Sequence, residues 1–278
     1  MKIKALCGLV AAGLISVMFG TSLSLAQDCT PKHKFPTVEE GFLTIAPTTY
    51  APYSWLDDAG EVQGIDGDIL KEIAKMECLK IKAVPADPAG VLQYVISGKA
   101  DATTGDWYRT EERARVLNLS APLYVDQMAI YSTTGIETVE ELIGKEVGSV
   151  TGNLWIGDVK KLLGDNLKIY PVSINMQQDL EAGRISVALD GNSIGVVAQK
   201  NGALKNIQIK VIKPDPRVAA SMEAGQGTFP LNKKNPEILK AFDEDIKELH
   251  DNGKIAELLV KHGLDASAAE TGAPRLIP

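Results

Sequence analysis

Between Gly105 and Arg115 the chain reads Gly-Asp-Trp-Tyr-Arg-Thr-Glu-Glu-Arg-Ala-Arg. These residue types suit the capture of a carboxylate. Thr110 is placed to cap a helix whose first turn carries Glu112 and Arg113. A helix start presents unpaired backbone N–H groups, and a guanidinium adds two parallel donors that match a carboxylate. Trp107 and Tyr108 offer a flat apolar wall beside them. A solvated, charged helix start with ordinary i,i+4 pairs is the plainer reading, and the stretch alone does not decide between the two.

Other residues extend the same chemistry. Trp55, Trp107 and Trp155, with Tyr53 and Tyr108, fall on segments predicted to be loops. Together they would make an apolar or cation–π surface, unless one or more simply pack beneath their loops. If the chain were an enzyme, Asp106, Asp190 or Glu112 would be the candidates for its general acid. His33 lies in the N-terminal lead-in, and His250 and His262 lie in terminal helices, with no spacing that suits a metal. There is no nucleophile elbow, phosphate loop or Cys–His motif. No metal and no cofactor are expected.

The elements that must hold these residues alternate between strand and helix, the pattern of an α/β domain. Phe42 to Ala46 reads as a strand, and a helix after Gly64 repeats Ile69, Leu70, Ile73 and Ala74 on one face. A strand over 79–84, a helix closed by Gly98 and a short strand at 100–104 deliver the Gly105 stretch. Asp126 to Tyr131 reads as one strand, after which the alternation begins again. The segment Ser97-Gly98-Lys99-Ala100-Asp101 is echoed by Ala182-Gly183-Arg184-Ile185-Ser186, about 85 residues later. Two similarly built lobes are therefore expected. The chain closes on helices over about 235–261.

The N-terminus carries an address. Lys2 and Lys4 precede an apolar run ending near Phe19, then small residues to Ala26. That is a signal peptide over residues 1–26, its apolar run shorter than the ~20 residues of a membrane span. Its removal takes the formal charge from -7 to -9, which argues against nucleic acid as a partner. Cys29 and Cys78 remain, and in an oxidising compartment they suggest one disulfide, two separate thiols being the alternative.

With these residues in place, the chain resembles the periplasmic solute-binding proteins that feed ABC importers of polar amino acids, over about residues 40–265. The resemblance rests on Tyr53-Ser54-Trp55, on Gly64-Ile65-Asp66-Gly67-Asp68-Ile69, and above all on Thr110-Glu111-Glu112-Arg113-Ala114 leading to Ser120-Ala121-Pro122-Leu123-Tyr124. Lys145 to Gly152 and Ala182 to Ser186 match in the second half. It implies a two-lobed α/β type II periplasmic binding fold with two hinge crossings, near 129–135 and 212–226. Lobe 1 would take residues 41–130 and 222–265, and lobe 2 residues 131–221. Residues 27–40 would form an N-terminal extension and 266–278 a flexible tail.

The resemblance further implies a monomer in the periplasm that closes on a small solute, an amino acid or derivative, and delivers it to an inner-membrane permease. Arg113 would grip the α-carboxylate with help near Thr110, and Tyr53 and Trp55 would be aromatic side walls. Two departures concern the ammonium end. Asn153 stands near an expected threonine, and Asp190 comes one residue early, with Gly191 at the expected place of an aspartate. The loop Asp106 to Arg109 is also one residue longer than the commonest form, so Asp106 is a candidate replacement. An enzyme on the same fold, similar to a cyclohexadienyl or arogenate dehydratase, and a sensory binding protein are the alternatives.

Overall fold

The computed structural model describes residues 29–87 and 90–278. The expected signal peptide, with Cys7, lies outside the described residues. The chain begins with β1 (Phe42–Pro47), a small hairpin of β2 (Trp55–Leu56) and β3 (Val62–Gln63), α1 (Gly64–Met76), β4 (Lys80–Ala83), α2 (Val91–Ile96), β5 (Ala102–Thr104), β6 (Trp107–Tyr108), α3 (Glu111–Val116) and β7 (Leu117–Leu119). It continues through β8 (Val125–Asp126), β9 (Met128–Ser132), β10 (Val147–Val150), α4 (Ile156–Leu163), β11 (Leu167–Tyr170), α5 (Ser173–Glu181), β12 (Val187–Gly191), α6 (Asn192–Lys200) and β13 (Gln208–Val211). It returns through β14 (Gly225–Thr228) and β15 (Pro230–Asn232) to α7 (Pro236–Asp251), α8 (Lys254–Lys261) and a short 3-10 turn at Ala266–Ala269.

Two five-stranded sheets define two lobes, with strand orders β4-β1-β5-β15-β7 and β11-β10-β12-β9-β13. Within the first, β4, β1 and β5 run parallel. Because side chains alternate across a strand, each sheet feeds an apolar cluster on both faces. Leu43 and Ile45 join α1, α7 and α8 on one side, while Ala46 meets Val91 and Val95 of α2 on the other. In the second sheet Met128, Ile130 and Leu189 face one cluster, and Ala129, Tyr131 and Ala188 the other.

A three-stranded sheet of β6, β14 and β8 lies between the lobes. Here the expected boundary at 130/131 is corrected: β9 belongs wholly to the second sheet, paired with β12 and β13. The outward crossing is at Val125–Gln127, because exposed Gln127 interrupts what reads in sequence as one continuous strand.

Local chemistry fixes the ends of the elements. Asn235 accepts a hydrogen bond from the Ile238 amide and Pro236 takes the first position of α7. Gly64 opens α1 with φ of +97°, and any side chain there would collide with the Tyr53 carbonyl. Cys29 and Cys78 are bridged, with Cα atoms 5.7 Å apart. Beside the bridge, Lys32 pairs with Asp245 and Glu248 at 2.8 Å, and His33 with Glu77 at 2.6 Å. The lead-in is thus tied to α1 and α7. The expected flexible tail is also corrected, since Ile277 is buried and forms a bridge with Thr110. Its apolar residue and its free backbone groups find partners there, which a polar, proline-tipped sequence does not announce.

Candidate functional site

The loops at the C-terminal ends of β1, β5, β10 and β11 meet between the lobes, as the ends of parallel strands do in open α/β sheets. They enclose a cleft lined from the first lobe by Tyr50, Asp106, Trp107, Tyr108 and Arg113, and from the second by Thr151, Asn153 and Trp155.

Arg113 is the cation of this cleft. Thr110 caps α3 by accepting from the Arg113 amide at 3.1 Å, which fixes where the side chain leaves the helix. The guanidinium lies over the Trp107 ring, 4.7 Å from its centre. One Nη donates to the Tyr108 carbonyl at 2.7 Å, and the other reaches the Gly152 carbonyl of the second lobe at 3.5 Å. Among the described residues no carboxylate is within ion-pair distance of it. Burial lowers its pKa to about 10, so it remains charged at neutral pH. The helix start itself offers less than its sequence promises. The Glu111 amide already donates to the Ile277 carbonyl at 2.9 Å.

Buried acids cluster beside this cleft, Asp106 interacting electrostatically with Asp126, Asp66 and Asp190 as well as with Arg113. Asp190, fully buried at the end of β12, accepts from the Tyr50 hydroxyl across the cleft at 2.6 Å, from the Gly191 amide at 3.0 Å and from Asn153 Nδ2 at 3.4 Å. Asp126 on β8 accepts at Oδ1 from the Ser193 amide and hydroxyl, at 3.1 and 2.8 Å. Its Oδ2 is buried without a hydrogen-bond partner among the described residues. That oxygen fills the space beside Gly191 where a Cβ would stand. Asp106 sits at φ +55°, with Oδ1 buried and likewise unpartnered.

Asp66, from the start of α1, holds the Asp106 loop in place. It accepts from the Gly105 amide at 2.7 Å and the Asp106 amide at 3.2 Å, and from the Tyr124 hydroxyl at 2.5 Å. Burial pushes Asp66 and Asp126 up to about 6. Burial, then the carboxylates of Asp126 and Asp66, push Asp106 far above the usual carboxylate range, against the pull of Arg113. Burial raises Asp190 as well. Tyr50, Tyr53, Tyr108, Tyr124 and Tyr131 surround these acids, and burial holds their phenols neutral, so they can donate.

The structure brings most of the expected site residues together and leaves two apart from them. Asp106, Trp107, Tyr108, Arg113, Asn153 and Trp155 line the cleft, Asp190 is buried behind it and bonded to the lining residues Tyr50 and Asn153, and Thr110 is the cap behind the clamp. Trp155 does double service, because its Nε1 donates to Ser149 at 2.9 Å and its ring packs into the second lobe's core. Tyr53 is not a side wall. It is fully buried, stacked between Tyr50 and Tyr124 with ring centres 6.2 and 4.8 Å away. Trp55 is not in the cleft either, because β2 turns it away to meet His262 edge-on at 6.2 Å. Tyr50 supplies the wall instead. Tyr50 lines the cleft and Asp66 and Asp126 are buried near it, and none of the three is among the residues expected there. The one sequence signal for Asp126 was indirect, the glycine at position 191.

Residues 43–265 match the family model for bacterial extracellular solute-binding proteins, family 3, and the chain belongs to that family. The lysine/arginine/ornithine-binding periplasmic protein of Escherichia coli (strain K12) is 27% identical over 77% of this chain and 84% of its own length. The L-cystine-binding protein TcyJ of the same organism is 24% identical over 93% of this chain and 94% of its own. Among solved structures, an ancestral arginine-binding protein bound to glutamine superposes with a TM-score of 0.70 at 25% identity, covering 81% of this chain and 99% of that one. The arginine-, lysine-, histidine-binding protein ArtJ from Geobacillus stearothermophilus, at 20% identity, shares the fold with a TM-score of 0.68, over 80% of this chain and 95% of its own. The architecture is the two-lobed type II periplasmic binding fold, and the chain is a solute-binding protein.

Proposed function

We propose that the mature protein captures a basic amino acid in the periplasm and delivers it to an ABC permease of the inner membrane. One observation carries the choice of a basic solute. At the cleft a single guanidinium without a carboxylate partner stands near buried carboxylates, three of which, Asp106, Asp126 and Asp190, keep an oxygen unpartnered among the described residues. A charge buried without a partner is costly, so each of these groups favours a ligand that completes it.

A solute with one carboxylate and two cationic groups fits this arrangement. Arg113 takes the carboxylate as a charge-assisted pair, with Thr110 holding the clamp. Asp190 and Asp126 take the α-ammonium, the latter at the place where Gly191 leaves room. Asp106 takes the side-chain cation beside the faces of Trp107 and Tyr108. Closure of the lobes then shields these contacts from water, which strengthens them. The kinship with the lysine/arginine/ornithine-binding periplasmic protein of E. coli supports the same class of solute. No step of chemistry on the solute is required, and one chain suffices as the working unit.

A thermal-shift screen of the mature protein against the common amino acids tests the proposal. A ligand that binds only the folded form, at a hundredfold excess over its Kd, stabilises it by about 2.7 kcal/mol. Lysine, arginine, ornithine or histidine should raise the melting temperature and be recovered unchanged. A shift with glutamate or with an apolar amino acid alone would exclude the basic solute, and recovery of a chemically altered ligand would exclude simple capture.

A further inference from the structure

The family match stops at Asp265, but the chain does not stop there. After the turn at Ala266–Ala269 the remaining residues run along β14, the return crossing between the lobes. The Gln226 side chain, itself 1% exposed, donates to the carbonyls of Thr271 and Ala273 at 2.8 and 2.9 Å and accepts from the Arg275 amide at 2.8 Å. Arg275 adds an ion pair with Glu223 at 2.9 Å. Ile277 then adds a parallel bridge beside Thr110. Its amide donates to the Arg109 carbonyl at 3.0 Å, and its carbonyl accepts from the Glu111 amide at 2.9 Å.

Two further contacts give this path a consequence. The Gln226 carbonyl accepts from the Arg109 amide at 3.0 Å, so the hinge strand and the tail hold the same short stretch from both sides. The Ile277 side chain, 6% exposed, belongs to the apolar cluster of the second lobe, with Met128, Ile212 and Val218. The segment therefore starts from the helices of the first lobe, binds the residues flanking the Thr110 cap, and buries its end in the core of the second.

We infer that Ile277 is a positioning residue for the Thr110–Arg113 clamp, and that residues 271–277 form a strap that holds the clamp in register with the second lobe. The strap fills the Glu111 amide, which a free helix start would leave to water. It also sets the backbone at 109–111 from which Arg113 projects. The role in gripping a carboxylate rests on the assignment of Arg113 under the proposed function; the strap itself does not.

The test compares wild-type protein with a variant ending at Ala269, with Ile277→Asp and with Ile277→Val. Hydrogen exchange is followed in the absence of ligand, and binding is measured with L-arginine and with its decarboxylated analogue agmatine. In the deletion and in Ile277→Asp, amides over 109–114 should exchange at least about tenfold faster while those of α7 keep their protection. Affinity for arginine should fall about tenfold, that for agmatine should change far less, and Ile277→Val should restore both readouts. Unchanged protection at 109–114, equal loss of protection in α7, or equal loss of both ligands would overturn the inference. If the wild-type protein takes neither ligand, the proposed solute is wrong, and the exchange measurement alone decides the strap.

Discussion

At the scale of single residues, the site turns on where charge is left uncompensated. Arg113 has hydrogen bonds to two carbonyls but no carboxylate partner among the described residues. Arg113→Ala should therefore cost the solute a charge-assisted pair, weakening binding by about tenfold to a hundredfold or more while leaving the fold intact. Titration calorimetry beside a thermal melt checks both halves. Asp126 is the mirror case. Its carboxyl is pushed up to about 6 from 3.8 by burial, so the folded, ligand-free protein is penalised as pH rises.

The penalty sets in above the unfolded value near 4 and is complete a little above 6. Asp126→Asn should remove it, stabilising the ligand-free protein by up to about 2 kcal/mol at pH 7 while weakening a cationic solute. A variant less stable than wild type at that pH would contradict this. Arg113, Asp106 and Asp190 were readable from sequence because they sit beside motifs. Asp126 was not. Its role depends on a carboxylate from the crossing strand filling the space over Gly191, and no linear pattern records that proximity.

At the scale of elements, the strands and helices deliver the site through their ends. The Thr110 cap aims Arg113, and Asp66 at the start of α1 holds the Gly105–Asp106 amides. Thr110→Ala should cost about 1 kcal/mol of stability and weaken binding as well, because the cap and the clamp share one backbone. Loss of stability with affinity unchanged would separate the two. The bridge between Cys29 and Cys78 spans 49 residues and ties the lead-in to α1. Reduction should lower stability by about 2–4 kcal/mol without changing affinity in the fraction that stays folded. Most of these elements follow from apolar periodicity and caps. Where the reading failed, a tertiary partner decided. Trp55 follows the β2–β3 hairpin out to His262, and Gln127 divides a strand that continuous hydropathy had joined.

At the scale of the whole molecule, two lobes close on a cleft and are held by contacts that cross it. The Tyr50 hydroxyl from the first lobe reaches Asp190 in the second at 2.6 Å, and Arg113 reaches Gly152 at 3.5 Å. A solute with a cation at Asp190 competes with Tyr50 for that carboxylate, and one with a carboxylate takes over Arg113. The repeated helix–glycine–strand unit announced two lobes from sequence alone. The strap after Asp265 stayed hidden, since small and proline-rich residues carry no signal for the backbone partners they meet.

The most direct test is titration calorimetry of the mature protein with L-arginine and L-lysine at pH 6, in two buffers of different ionisation enthalpy. The cation must displace the proton of Asp126, whose carboxyl burial pushes up to about 6, and that of Asp106, which burial and neighbouring carboxylates raise well above its usual range. One ligand per chain, with net proton release on binding and tighter binding at pH 7 than at pH 5, is the predicted result. Proton uptake on binding, or tighter binding of glutamate than of either basic amino acid, would contradict a cleft that pairs one guanidinium with a solute's carboxylate and its aspartates with the solute's cations.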